Sequence, residues 1–104
     1  MSVDAFSVLS EPTRRRILDR LLVAESSVNE LAEALSVSQP TVSKQLRVLR
    51  EAGFVTCRTE AQRRIYRIHA GPFQAFDDWL QPYRALWGRH LEALERHLDN
   101  LEQS

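Results

Sequence analysis

Residues 28–56, VNELAEALSVSQPTVSKQLRVLREAGFVT, place two short amphipathic segments on either side of the brief reversal Ser36-Val37-Ser38. At 3.6 residues per turn, Val42, Leu46, Leu49 and Gly53 fall within a narrow arc of the second segment, while Pro40, Lys44, Arg47 and Glu51 occupy the opposite arc. Gln39, Thr41, Ser43 and Gln45 lie between the arcs or near the helix start. One face is built to pack and the other stays open to a partner. That is the pattern of a helix-turn-helix whose second helix reads DNA.

Local signals place the ends of these helices. Ser38 is a natural N-cap, because its hydroxyl accepts a bond from a backbone N–H one turn in, and Pro40 removes a donor that the first turn leaves unpaired anyway. Val28, Leu31, Ala32 and Leu35 form the apolar face of the preceding helix, and Val37 plugs the angle between the two. Gly53 ends the second helix.

A chain of 104 residues is expected to form one domain that buries roughly two thirds of its unfolded surface, with no room for a separate catalytic module. No apolar run approaches the ~20 residues needed to cross a bilayer, and MSVDAFSVLSEP sets Asp4 early with no basic segment ahead of an apolar one. The expectation is a soluble, cytoplasmic protein without a membrane partner. Cys57 is the single cysteine, so neither an intrachain disulfide nor a multi-cysteine metal cage forms within one chain.

The formal net charge is zero but strongly segregated. Basic residues number 4 against 6 acidic over residues 1–37, 7 against 2 over 38–67, and 3 against 6 over 68–104. Attraction to phosphate is thereby local and oriented, while the acidic remainder limits indiscriminate binding.

Elsewhere the pattern predicts a first helix over about 3–9 using Val3, Phe6, Val8 and Leu9, and a second from Pro12 to about Ala24 with Ile17, Leu18, Leu21 and Leu22 as its core stripe. After the helix-turn-helix (about 28–52), Phe54–Thr59 and Ile65–His69 read as strands joined by the polar turn Glu60–Arg64. This makes a β-hairpin over about 54–69, a wing, with Arg63 and Arg64 at or near its tip. Residues from about 72 to 102 read as helix, with Pro82 expected to kink or restart it near Leu80–Gln81. Along it Phe73, Phe76, Leu80, Tyr83, Trp87, Leu91, Leu94, Leu98 and Leu101 recur every three or four residues. Residues 82–101 alone span roughly 30 Å as helix, more than a core of this size covers, so part of the stripe is expected to pack on a second copy. The interface residues are then Phe6, Trp87, Leu91, Leu94, Leu98 and Leu101. The fold class is mainly α with a small β-hairpin, a winged helix-turn-helix that dimerises through its N- and C-terminal helices.

FSVLSEPTRRRILDRL, VNELAEALSVSQPTVSKQLRVLREAGFV and RRIYRI together resemble the arsenic-repressor (ArsR/SmtB-like) family of small bacterial winged-helix repressors over nearly the whole chain. The resemblance implies a homodimer joined through its first and last helices, bound to an inverted repeat in a promoter and usually repressing that operon. Metal-sensing members carry two cysteines in a stretch resembling ELCxCxL, where this chain has Glu30-Leu31-Ala32-Glu33-Ala34-Leu35. Others use an Asp-x-His pair with a further His and carboxylate on the last helix, a spacing that His90 and His97 with Glu92, Glu95 and Asp99 do not reproduce. Two-cysteine persulfide sensing has only Cys57 to draw on. The resemblance therefore points to the metal-independent branch, with no metal, no cofactor and no assigned inducer.

Ser38, Gln39, Pro40, Thr41, Ser43, Lys44, Gln45 and Arg47 are the candidate DNA-contacting residues of the reading helix, its N-terminal part entering the major groove of double-stranded operator DNA. Arg63 and Arg64 are further candidate DNA-contacting residues, a basic tip beside the reading helix that touches phosphate or the minor groove rather than simply solvating a turn. Arg58 and Arg67 are evenly balanced between those roles. Arg14, Arg15 and Arg16 point in three directions, some toward local carboxylates and one toward phosphate. Trp79, Tyr83 and Trp87 read as core or dimer packing rather than an aromatic cage, Cys57 as a small apolar packing residue, and His90 and His97 as surface or interface residues. Rival readings are a ligand-, metal- or redox-responsive derepressor of the same fold and a winged-helix protein-interaction module. No glycine-bordered nucleophile, phosphate loop or metal-spaced set supports an enzyme.

Overall fold

The computed structural model describes residues 3–103, with helices α1 (Val3–Ser10), α2 (Pro12–Val23), α3 (Val28–Leu35), α4 (Gln39–Glu51) and α5 (Gly71–Gln103), and strands β1 (Ser26–Ser27), β2 (Val55–Glu60) and β3 (Arg63–Ile68). The side chain of Val3, expected on the apolar face of the first helix, lies outside the described residues, as do Met1, Ser2 and Ser104.

Helices α2, α3 and α4 each start on a side-chain cap. At α2 the Glu11 carboxylate accepts from the backbone N–H of Thr13 and Arg14 at 3.1 and 2.9 Å. At α3 Ser27 and Glu30 form a reciprocal capping box, the Glu30 N–H donating to Ser27 Oγ at 3.2 Å and the Ser27 N–H to Glu30 Oε1 at 3.1 Å. At α4 Ser38 is the N-cap the sequence predicts, accepting from the Thr41 N–H at 3.3 Å. Gly53, at φ +85, closes α4. Its N–H donates to Arg50 O at 3.0 Å and that of Phe54 to Leu49 O at 2.9 Å, the paired bonds of a Schellman ending that favours glycine at this position. A reversal of the same hand separates α3 from α4, with Ser36 at φ 55.

The sheet has the order β1-β3-β2 and is antiparallel throughout. Here the structure corrects the sequence reading twice. The hairpin turn is only Ala61-Gln62, because Glu60 pairs with Arg63 and Thr59 with Arg64, so both arginines belong to β3. The two-residue strand β1 also pairs with Tyr66 and Ile65, an association that no local period announces.

Ile17, Leu31, Val42, Leu46 and Leu49 are wholly buried, with Phe54 and Val55 nearly so. The Phe73 ring meets Phe54 edge-on at 5.1 Å and pins the start of α5 to this core. Leu22, expected in the α2 stripe, is 79% exposed. It lies about 140° around the helix from Ile17, in the last turn, on the rim of an open apolar groove that it shares with Leu18, Ile68, Ala70 and Phe73.

α5 is a single helix through Pro82, without the expected break. Pro82 is exposed, so the carbonyl that loses its donor faces water. Asp77 also bridges the site, its carboxylate taking Arg84 at 2.7 Å and the Gln81 amide at 3.5 Å. The helix carries the molecule to 67 × 29 × 21 Å and a radius of gyration of 19.0 Å, against about 13 Å for a compact chain of this length.

Phe54→Ala is expected to cost about 3–5 kcal/mol, a large share of a small domain's stability, read as a lower urea midpoint. A loss under about 1 kcal/mol would show that the α4–α5 junction tolerates the cavity.

Candidate nucleic-acid interface

The reading helix is held by its buried stripe and one polar brace. Arg14 on α2 donates from Nη1 to Gln45 Oε1 at 2.8 Å, while its Nε holds Val8 O at 2.7 Å and its Nη2 holds Ser7 O at 3.3 Å. Gln45 is thereby half-buried and turned toward α2, with its carbonyl already engaged. The other expected members of the face, Ser38, Gln39, Pro40, Thr41, Ser43, Lys44 and Arg47, are exposed. Ser38 is also occupied by its capping role, donating to Thr41 Oγ1 at 2.8 Å. Arg47 reaches one turn along to Glu51 at 3.2 Å, both side chains well solvated, so the contact is weak and exchangeable.

The arginines divide sharply. Arg15 and Arg16 bond to backbone carbonyls, those of Leu9 and Ser10 and that of Leu35, rather than to the carboxylates expected from the sequence. Arg58 is shared between Glu25 and Glu60, and the Glu25 bond raises its pKa further. Arg67 donates to Thr56 Oγ1 at 3.2 Å. Arg63 folds back onto the α3 cap, bonding Ser27 Oγ at 3.2 Å and the Glu30 carboxylate. Among the described residues, Lys44, Arg50 and Arg64 make no hydrogen bond or ion pair. Arg50 was missed in the sequence. Its signal was helical spacing, three residues from Arg47 and seven from Ser43, which sets it on the side of α4 that faces the wing. There, Ser43, Arg47, Arg50 and Arg64 line one cleft with Tyr66 at its base.

The backbone N–H of Ser27, then its hydroxyl, hold the Glu30 carboxyl below its ordinary value, with Arg63 adding attraction. Among the described residues no group of three or more His, Cys, Asp or Glu side chains is placed to hold a metal ion. Among the described residues no helix is long and apolar enough to cross a membrane. Cys57 is partly buried against the core. At the opposite end Phe6 packs on Phe76 and Trp79 at 4.9 and 5.3 Å, and Trp79 continues to Tyr83 at 4.8 Å. Beyond them Trp87, Leu91, Leu94, Leu98 and Leu101 form an exposed apolar band on α5.

Residues 11–56, from the α2 cap to the start of the wing, match the family described as bacterial regulatory protein, arsR family. An HTH-type transcriptional regulator of Mycobacterium tuberculosis is 34% identical over 92% of this chain and 87% of its own length. The chain belongs to the ArsR family. The biofilm growth-associated repressor of Agrobacterium fabrum is 47% identical over 58% of this chain, which spans about half of that longer relative, 51%. Among solved structures, the winged helix-turn-helix DNA-binding domain of a possible ArsR-family regulator from Mycobacterium bovis, described as homodimeric, superposes with a TM-score of 0.62 at 30% identity, covering 86% of this chain and 80% of that one. The ArsR-family match accounts for the winged helix-turn-helix and marks the chain as a transcriptional regulator rather than an enzyme.

Lys44→Ala and Arg47→Ala are each expected to weaken duplex binding by about 1–3 kcal/mol without moving the urea midpoint. Unchanged affinity in both would mean that this face does not meet DNA. For Glu30, the lowered folded pKa means that its stabilisation is complete above 4.5 and is lost as pH falls through the depressed value. A carbon-detected NMR titration should give a Glu30 midpoint below 4.5, and one at or above it would contradict the capping-box account.

Proposed function

We propose that this ArsR-family regulator is a homodimeric repressor that binds an inverted-repeat operator, with the N-terminal part of each α4 in successive major grooves. The observation that carries the reading is the exposed row Gln39, Thr41, Ser43, Lys44 and Arg47 set against the buried stripe Val42, Leu46 and Leu49. Hydroxyls and amides match base edges, and cations match guanine or phosphate. Two copies joined through α1 and α5 present two such rows, and half-sites about one helical turn apart are what twofold symmetry asks of the DNA. Support for the pairing comes from the apolar band of α5 and from the homodimeric relative. Repression follows from occlusion of polymerase at the promoter, in the cytoplasm.

The proposal places the protein in the metal-independent branch. Ala32 and Ala34 stand where the resembling metal sensors carry cysteines, and alanine has no ligating atom. DNA affinity should therefore stay constant when divalent metals or thiol oxidants are titrated into a binding assay. A metal-dependent change would favour the sensing alternative. Ser38, Arg63 and Gln45 enter this reading as supports of the reading face, since each is engaged within the protomer.

Leu94→Glu is expected to give monomers at micromolar concentration by sedimentation and to lose operator binding through loss of the pair. A variant that still sediments as a dimer would remove α5 from the seam.

A further inference from the structure

When a helix lies in the major groove and a hairpin beside it reaches toward the next minor groove, one sugar–phosphate strand separates the two grooves and passes between the two protein elements. In this chain that gap is a cleft of about 630 Å³ between α4 and β3. Its walls carry cations on both sides, Arg47 and Arg50 from α4 and Arg64 from β3, with the Ser43 side chain beside them and the buried Tyr66 beneath. Glu51 is the one carboxylate in the lining, and it holds Arg47. Arg50 and Arg64 have no partner among the described residues.

Strand geometry explains why neighbouring arginines differ. Successive side chains of β3 point to opposite faces. Arg63 turns to the α3 cap, where Ser27 and Glu30 satisfy it, and Arg64 turns with Tyr66 into the cleft. Two unpaired guanidinium groups on opposite walls of an open cleft fit a linear polyanion passing between them better than an enclosed small anion. The cleft is also continuous with the exposed row of α4 through Ser43 and Arg47.

We infer that this cleft is the track for one DNA sugar–phosphate strand, gripped by Arg50 and Arg64, with Glu51 opposing it by occupying Arg47 until a phosphate displaces the carboxylate. The inference rests on the DNA-binding reading and adds to it a phosphate site, a role for Arg50 and a brake on unselective binding.

The test is the salt dependence of affinity, measured with the full chain on two labelled duplexes, one of random sequence and one enriched from a randomised pool by the wild-type protein. Each substitution removes one phosphate contact from both protomers of the pair, so Arg50→Ala and Arg64→Ala should each lower the log–log salt slope by about 1.8, twice the value for a single contact, alike on both duplexes. Glu51→Gln should tighten binding by roughly two- to fivefold, the range spanned by an exposed ion pair, a gain that misfolding does not produce. An unchanged slope in either arginine variant, or no tightening in Glu51→Gln, overturns the inference. Inorganic phosphate at matched ionic strength should displace duplex no better than chloride, and selective displacement would assign the cleft to a free anion instead. Wild-type protein that binds neither duplex would overturn the DNA-binding reading itself, a failure distinct from the others.

Discussion

Burial of Val42, Leu46 and Leu49 fixes the rotation of α4 about its own axis, and the functional surface depends on that rotation. With these three side chains fully inside, geometry leaves Lys44 and Arg47 no direction but outward. Phe54 locks the far end through the Schellman closure at Gly53 and the edge-on contact with Phe73. The nonspecific force of apolar burial thus does the orienting, and the polar groups inherit a direction from it.

Polar interactions refine that arrangement. Arg14 ties the end of α1 to the middle of α4 through the carbonyls of Ser7 and Val8 and the Gln45 amide. Since α1 also packs its Phe6 on the aromatic residues of α5, the reading helix and the elements proposed to carry the dimer seam meet at one guanidinium. Arg63 does the same for the wing, joining the hairpin to the capping box of α3. Arginines that look alike in sequence therefore take different places, Arg14, Arg15, Arg16 and Arg63 as struts inside the protomer and Arg50 and Arg64 along one cleft without a partner among the described residues. A chain of zero net charge can still present a concentrated positive surface where it is needed.

Local chemistry was readable from the residues. The cap at Ser38, the helix end at Gly53, the hairpin and the exposed face of α4 each follow from signals within one or two turns, because capping bonds and helical periodicity close over short stretches of chain. The capping box at Ser27 and Glu30 was equally local and was overlooked. The extent of α5 past Pro82 was not readable, since it depends on whether the orphaned carbonyl finds water and whether Asp77 bridges the gap.

The sequence by itself determined the inward stripe of α4 and the ends of that helix at Ser38 and Gly53, because those properties depend on near neighbours. Only the tertiary structure decided what stands opposite each face: Arg14 against Gln45 across 31 residues, Arg63 against Glu30 across 33, β1 beside β3, an open groove beside Leu22, and Arg50 facing Arg64 across a cleft. The physical reason is that a residue's direction around its own helix or strand is fixed by backbone geometry, whereas its partner is fixed by how separate elements pack.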